Sequence, residues 1–501
     1  MRDKLMLLLV LVLPALAQWQ PDQRLTVDSA RSRVPYNNAW CVAASGDTIH
    51  AAWYDDRDGN YEVYHKRSTD AGASWGDDQR LTNDVGGSAW TSLAVAGNAV
   101  HVAWTDDRDG NAETYYKRST NGGVTWGSDT RLSTDSNNSY NPSVAASDSQ
   151  VHVVWHDDRD GNAEIYYKRS TDGGFSWGSD TRLTNDSHTS QYPSVVIAGS
   201  AVRVVWRDDR DGNLEIYHKY STDGGFSWGS DTRLTNAALD AGPPSVAVAG
   251  NVVHVVWPDW GWLSGSCSQS GEAAPVAAPV VLQPLDSNPE IYYVSSTDGG
   301  TTWGMVTRLT TDIHKSEFPS VAVGGNVVHV IWIDERDGNR EVYCKRSTDG
   351  GFSWGNDTRL TSDGSESDHP SVAAVGNAVH VVWHDTRDGN YEIYYKRDPT
   401  GNVSLADEGG TLLPSSALRV APNPIHSGTA RVELGAAINT PAFLHVYNAA
   451  GRMVLRVPIQ AGASSLLLNL TSLRDGIYVV THNAASKQLS QKLIIQRNPK
   501  Q

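Results

Sequence analysis

Six arginines share one setting. Arg57, Arg108, Arg159, Arg210, Arg336 and Arg387 each lie in an Asp-x-Arg-Asp-Gly-Asn-type loop, as at residues 157–162. A guanidinium flanked by carboxylates can do three things. It can tie its own turn and the neighbouring segments together through bidentate ion pairs. It can belong to a ring of polar ligands for a glycan or peptide. Or the carbonyl and carboxylate oxygens of Asp56, Asp58, Asn60 and Glu62 can hold calcium, although the spacing is not that of the Asp-x-Asp-x-Asp-Gly calcium loop. A seventh loop breaks the pattern. After Trp257 the chain reads Pro-Asp-Trp-Gly-Trp and runs through an insertion at about 258–288 that carries Trp260, Trp262 and Cys267. That segment is either a plain insertion or a binding loop whose indole rings stack on sugar faces.

These loops belong to a repeat of about 51 residues. A strand-type Trp recurs at Trp53, Trp104, Trp155, Trp206, Trp257, Trp332 and Trp383, with one longer step of 75 residues. A second Trp recurs at Trp75, Trp126, Trp177, Trp228, Trp303 and Trp354. Self-similarity at this period points to a stack of supersecondary units. Each unit reads as four short strands: A (Pro-Ser-Val-Ala, 142–145), B (Val-His-Val-Val-Trp, 151–155), C (Glu-Ile-Tyr-Tyr-Lys-Arg, 164–169) and D (Arg-Leu-Thr, 182–184). The β-branched and aromatic content favours strands, and Asp-Gly-Asn is a tight hairpin signal between B and C. Four-stranded units in series predict a β-propeller. Arg-Leu-Thr/Ser occurs seven times, but its first copy, at 24, precedes the first strand B and none follows Arg397. The expected fold is therefore all-β: a seven-bladed propeller in which the strand at 24–26 completes the last blade and removes the open edge. Strand B carries His at six of seven places (His50, His101, His152, His254, His329, His380) and Arg203 at the other. Repetition of that kind reads as packing, and no metal is assigned to it.

Between C and D stands Ser-x-Asp-x-Gly-x-Ser/Thr-Trp, as at 68–75, with Asn121 replacing Asp in the second copy. This motif resembles the Asp box of the bacterial neuraminidase repeat. Over residues 24–397 the order of strand B, Asp-x-Arg loop, strand C and Asp box resembles the sialidase superfamily. That resemblance implies a retaining glycosidase: a Tyr nucleophile activated by Glu, an Asp acid/base, and three Arg clamping the substrate carboxylate. Arg33-Val34-Pro35 is similar to the family's Arg-Ile-Pro motif, and Arg33 and Asp58 are the catalytic candidates. Counted back 13 residues from each strand Trp, however, the strand A Pro of blade 1 should sit at position 40. In that register Pro35 comes five residues early and the Arg-Ile-Pro slot reads as empty. The near-identity of the repeats also favours binding over catalysis, because a catalytic centre needs different residues from different blades.

The ends of the chain concern export. Arg2 and Lys4 precede an apolar run at 5–13 and the small residues of Ala15-Leu-Ala17, the pattern of a signal peptide spanning 1–17 and too short for a membrane anchor. No transmembrane segment is expected in the mature chain. Residues 398–416 read as a linker. From 417 to 501, alternating strands predict a small Ig-like sandwich. Its order of Pro-Asn-Pro, Val-Tyr-Asn-x-x-Gly-Arg, Leu-x-x-Gly-Ile-Tyr and Lys-Leu-Ile-Ile resembles the C-terminal sorting domain of the type IX secretion system; the alternative is an accessory Ig-like domain of the flagellar hook-cap type. The resemblance implies passage through that machinery, then release or attachment at the outer cell surface. Three Cys are too few for a disulfide framework. A net charge of -16 argues against nucleic-acid partners and anionic lipid.

The leading reading is a secreted or surface propeller that binds an extracellular glycan or protein without a cofactor, at the six loop arginines or at Trp260 and Trp262. The alternatives are an exo-α-sialidase or related glycoside hydrolase, and a structural adhesion repeat.

Overall fold

The computed structural model describes residues 19–35, 41–237, 239–260 and 288–400, and in the C-terminal unit 419–421, 429–433, 442–448, 452–459, 465–471, 473–474, 476–484 and 487–495. The expected signal peptide, most of the insertion with Trp262 and Cys267, and the side chain of Trp260 lie outside the described residues. The chain divides into two compact units, Met1–Ser404 and Leu405–Gln501.

Every regular element among the described residues is a strand. In the first repeat, strand A is split into Ser32–Arg33 and Val42–Ser45; B is Thr48–Asp55, C is Glu62–Ser68 and D is Gln79–Arg80. They pair antiparallel in the order A-B-C-D, and seven such sheets are present. The last draws its fourth strand from the start of the chain, with Gln23 opposite Tyr395 and Arg24 opposite Tyr394. The closure expected from the displaced Arg-Leu-Thr is therefore observed.

Strand B reads as an unbroken apolar run because both its faces are covered. Each core cluster joins two successive sheets: Val154, Ile165 and Tyr167 of the third pack with Val204, Trp206 and Tyr217 of the fourth. A further cluster joins Val382, Ile393 and Tyr395 of the last sheet to Val42, Trp53 and Tyr64 of the first. The strand B Trp side chains are among the largest fully buried groups, and truncating one to Ala costs about 3–5 kcal/mol. Small strand A residues, among them Ala44, Ala145, Ala247 and Ala373, line a central cavity of about 250 Å³.

The C–D turns are self-contained. Asp70 accepts the Ser74 amide (2.8 Å), the Ser74 hydroxyl (2.6 Å) and the Ser68 hydroxyl (2.7 Å), and these bonds hold its carboxyl well below the usual range. Asn121 accepts the corresponding amide of Thr125 at 2.9 Å. The turn's Trp75 packs edge-on against Tyr395 of the preceding sheet, with centroids 4.9 Å apart. Gly72, at φ +83°, leaves the space that the Tyr395 hydroxyl fills: a Cβ there would lie 1.9 Å from it.

In strand B and its partner C, buried imidazoles pair with aromatic neighbours. His101 Nδ1 lies 2.6 Å from the Tyr116 hydroxyl, and His152 Nδ1 lies 2.7 Å from that of Tyr167. Cys41 and Cys344 are both buried free thiols.

The C-terminal unit is a two-sheet sandwich. Arg419–Ala421, Thr429–Glu433 and Ser465–Asn469 form one sheet; Met453–Ile459, Ala442–Asn448, Gly476–Ala484 and Lys487–Ile495 form the other. Val432, Leu444, Val446, Leu468, Val480 and Leu493 meet between them.

Candidate functional site

The six loop arginines are clamps. Arg159 donates from Nη2 and Nε to both oxygens of Asp157 (2.6 and 2.8 Å) and from Nη1 to Asp180 (2.9 Å). Arg57 reaches Asp55 from Nη2 (2.6 Å) and Asp78 from Nη1 (2.8 Å), and adds Asp28, from the loop after the closing strand, at 2.9 Å. Arg210 reaches Asp186, and Arg387 reaches Asp363, on the preceding sheet. Arg108 and Arg336 pair with Asp106 and Asp334 in the same way. Each guanidinium also lies over a strand C Tyr, as Arg159 over Tyr166 at 4.2 Å. This is the turn-holding geometry, with carboxylates on two or three sides. Asp58 is bonded by the Tyr64 hydroxyl and by Arg80 at 3.3 Å, an arrangement repeated at Asp109, Asp211 and Asp337. The oxygens considered for calcium are likewise engaged. Asp56 accepts the Arg31 amide (2.7 Å), and Asn60 points its amide nitrogen at Glu62 (3.2 Å) and the Asp84 carbonyl (2.9 Å).

The register assigned to Arg33 from the sequence is corrected by the structure. Arg33 pairs with Tyr54 and Ser32 with Asp55, as Tyr140 pairs with His156 and Ser139 with Asp157. The Val34 amide reaches across to His384 of the preceding sheet (3.3 Å), just as the Asn141 amide reaches Thr105 (3.2 Å). Arg33-Val34-Pro35 therefore stands where Tyr140-Asn141-Pro142 stands. The count from the strand Trp failed because Pro35 stands 18 residues before Trp53, against 13 in the repeats from Pro142 onward. The slot read as empty holds Arg33.

That register exposes a set of positions where the repeats differ. Two residues before the strand A Pro stand Arg33, Ala89, Tyr140, Gln191, Gly242, Glu317 and Asp368. One residue after the strand B Trp stand Tyr54, Thr105, His156, Arg207, Pro258, Ile333 and His384. Strand A lines the central cavity and its opening residues lie on the side of the B–C loops, so these positions ring one mouth of the channel. On one arc the aromatic rings run in sequence: Trp90 against Tyr140 (5.9 Å), Tyr140 against His156 (5.6 Å), His156 against Tyr192 (5.8 Å), with Arg207 over Tyr192 at 4.4 Å. On the other arc Arg33 lies over Tyr391 (4.8 Å), His384 stacks on His369 (5.0 Å), and Arg340 binds Asp368 at 2.7 Å. Against the cost of burial, the adjoining His369 and then the Arg340 cation hold the Asp368 carboxyl far below its usual range. Burial keeps His156 and His384 neutral, each pushed down to about 3. The available signal was variation between repeats at fixed offsets, and a search for recurring residues passes over it.

The fifth sheet breaks the clamp as a unit. The positions of Ser32, Lys66 and Asp78 are filled by Ala241, Val294 and Val306, and that of Arg57 by Gly261. Only the strand B carboxylate remains, as Asp259. It is 8% exposed, and its Oδ1 has no hydrogen-bond partner among the described residues. Burial, with Glu215 and Asp240 nearby, raises its carboxyl to about 7. The insertion that follows, 261–287, contains no Lys, Arg or His that could replace the lost guanidinium.

Comparison with known proteins divides along the same boundary. Residues 419–496 match the family model described as a secretion system C-terminal sorting domain. This bears out the type IX reading and implies export to the cell surface or medium. No curated protein matches the chain. Among solved structures, the polysaccharide lyase Uly1 aligns over 76% of this chain and 99% of its own, with TM-score 0.52 and 11% identity. Trypanosoma rangeli sialidase aligns over 94% of this chain and 88% of its own, with TM-score 0.43 and 11% identity. Phage phi92 endosialidase aligns over 96% and 88%, with TM-score 0.44 and 10% identity. At this identity the likeness to Uly1 concerns the fold alone. No helix among the described residues is long and apolar enough to cross a membrane.

Proposed function

We propose that this exported propeller binds an extracellular glycan at the channel mouth. In this reading residues 1–17 are the export signal, 18–397 the propeller, 398–416 a linker and 417–501 the sorting domain. The observation that carries it is the mouth itself. In a molecule of near-identical repeats, the half-buried Trp90, Tyr140 and Tyr192 form an aromatic arc that meets Arg207. Aromatic faces suit sugar rings, and guanidinium groups suit carboxylate or sulfate substituents. Trp260 and Trp262 extend this proposal to the insertion after the fifth strand B. Acidic glycans are therefore the ligand class.

A glycan array probed with the mature full-length chain tests this. Acidic glycans should be retained, and Tyr192→Ala and Arg207→Ala should each weaken binding at least tenfold, with Trp260→Ala weakening it further. Binding unchanged in Tyr192→Ala and Arg207→Ala but lost in Arg159→Lys would return the ligand role to the loop arginines. An empty array would leave the structural adhesion reading.

Glycoside hydrolysis is a second reading, favoured by the register of Arg33. Turnover of a fluorogenic sialoside, lost in Arg33→Ala, would support it. Absence of turnover at high protein concentration would remove it and leave binding.

A further inference from the structure

One group of side chains at the mouth has the composition of a metal centre. Asp368, His369 and His384 each offer a ligand atom, and these atoms all lie within 4.8 Å of one another. Among the described residues it is the single group of this kind. At the corresponding places the sixth sheet has Glu317, Phe318 and Ile333, and the third has Tyr140, Asn141 and His156. The set is therefore peculiar to the last sheet and is not a by-product of the repeat.

The three residues come from two paired strands, Ser367–Val375 and Ala378–Asp385, where Asp368 lies opposite His384. Strands hold ligands more rigidly than loops do. Asp368 Oδ1 lies 3.0 Å from His369 Nδ1, close to the separation of adjacent ligands around one ion. Its other oxygen is held by Arg340 at 2.7 Å, and Arg340 is itself bonded to Glu335 at 3.3 Å. Phe318 packs on His369 at 4.2 Å and restrains that ring. Asp368 Oδ1 also accepts the His369 amide at 2.9 Å, which fixes the carboxylate from both oxygens and leaves Oδ1 one lone pair toward the imidazoles, the kind of supporting shell seen at metal sites.

We propose that Asp368, His369 and His384 form a site for one divalent transition ion at the channel mouth. Two imidazoles and one carboxylate suit Zn²⁺, Fe²⁺ or Ni²⁺ better than Ca²⁺ or Mg²⁺, which prefer all-oxygen shells. Three protein ligands leave at least one position open toward the mouth, the arrangement of an ion that meets a ligand. Two features moderate the affinity. The His369 and His384 rings lie 22° from parallel, so one imidazole must turn to bring an ion into both ring planes. The Val34 amide donates to His384 Nδ1 (3.3 Å), and an ion bound there competes for the same lone pair.

The test does not depend on any glycan. The mature full-length chain, stripped with EDTA, is titrated with zinc sulfate by isothermal titration calorimetry. One equivalent should bind. His384→Ala and Asp368→Asn should each weaken that step by more than tenfold, and Arg340→Gln by about tenfold, through loss of the carboxylate's support. The exposed-site double variant His188→Ala/His314→Ala should bind as the parent does. Zinc X-ray absorption on the unmutated chain supplies a readout that needs no variant to fold: two imidazoles and no sulfur are expected. Sulfur scattering, which would place the ion on a cysteine, overturns the proposal. So does the absence of a one-equivalent step, or a step that survives Asp368→Asn and His384→Ala together.

Discussion

Replacing Asp259 by Asn should stabilise the propeller, and the gain should depend on pH. Asp259 is the carboxylate left behind when the fifth sheet loses its Arg, Ser, Lys and Asp partners, and its ionised form has no cation to offset burial beyond the field of Arg308. With the folded value near 7 and the ordinary value 3.8, the group favours the folded state least when ionised. At about 1.36 kcal/mol per unit, the cost of ionising it in the folded state is on the order of 4 kcal/mol. The sign follows from proton binding. Between pH 3.8 and about 7 the folded state holds a proton that the unfolded state has released, so this group's contribution falls as pH rises and is fully unfavourable above about 7. Asp259→Asn removes that contribution. At pH 8 the variant should melt higher by roughly 5 °C, given an unfolding entropy of about 2 cal/mol/K per residue over the propeller. At pH 4.5 the difference should shrink to about 1 kcal/mol, roughly a quarter of its value at high pH. The same substitution at the same place in another repeat, Asp157→Asn, should destabilise at both pH values by about 1–3 kcal/mol, since it removes one of the two carboxylates that hold the half-buried Arg159. Thermal unfolding followed by near-ultraviolet circular dichroism at the two pH values decides the matter. An Asp259→Asn variant that is destabilised equally at both would show that the carboxylate is ionised and partnered, and the reasoning would fail.

Two other outcomes follow from the packing. Gly72→Ala combines a φ of +83° with a Cβ 1.9 Å from the Tyr395 hydroxyl, whereas Gly173→Ala, at φ +72°, meets nothing within 4 Å. Urea denaturation should show a loss of about 1 kcal/mol for Gly173→Ala and at least twice that for Gly72→Ala; equal losses would mean the blade seam can yield. Acidification should also unfold the propeller over a defined window. His101, His152 and His380 are pushed by burial from 6.5 to about 4. The unfolded chain binds their protons first, so stability should fall as pH drops from about 6.5 toward 4. A flat stability profile from pH 7 to 5 in a potentiometric or fluorescence titration would contradict this.

What could be read from the sequence was what recurs locally. Strand order, the Asp70-type turn and the displaced closing strand at residue 24 all follow from short patterns whose physics is confined to one turn or one pair of strands. The loop arginines were legible only as charged and Asp-flanked. That Arg57 is completed by Asp28 and Arg387 by Asp363 depends on which sheet lies beside which, and no local pattern states it. Arg33 was misplaced for a related reason: a residue count assumes a constant spacing between Pro and strand Trp, whereas strand register is set by pairing, here Arg33 opposite Tyr54. The mouth went unnoticed because its members are alike in position and unlike in chemistry. Asp259 stands out only against its six partnered counterparts.

The strand at Gln23–Arg24 has a consequence for manufacture. Its partners, Tyr394 and Tyr395, are made some 370 residues later, so this pairing has the longest loop to close in the molecule. During synthesis this strand, made before any full repeat, must wait for the last one. Until then the stack has two sticky ends that can find another copy's edge as readily as their own. The ring thus verifies its own length. A product truncated within the seventh repeat leaves Gln23 and Arg24 unmatched, and such a chain is an assembly intermediate that never terminates. For a chain that ends in a secretion sorting domain, full synthesis is then a condition for presenting a propeller without that free edge.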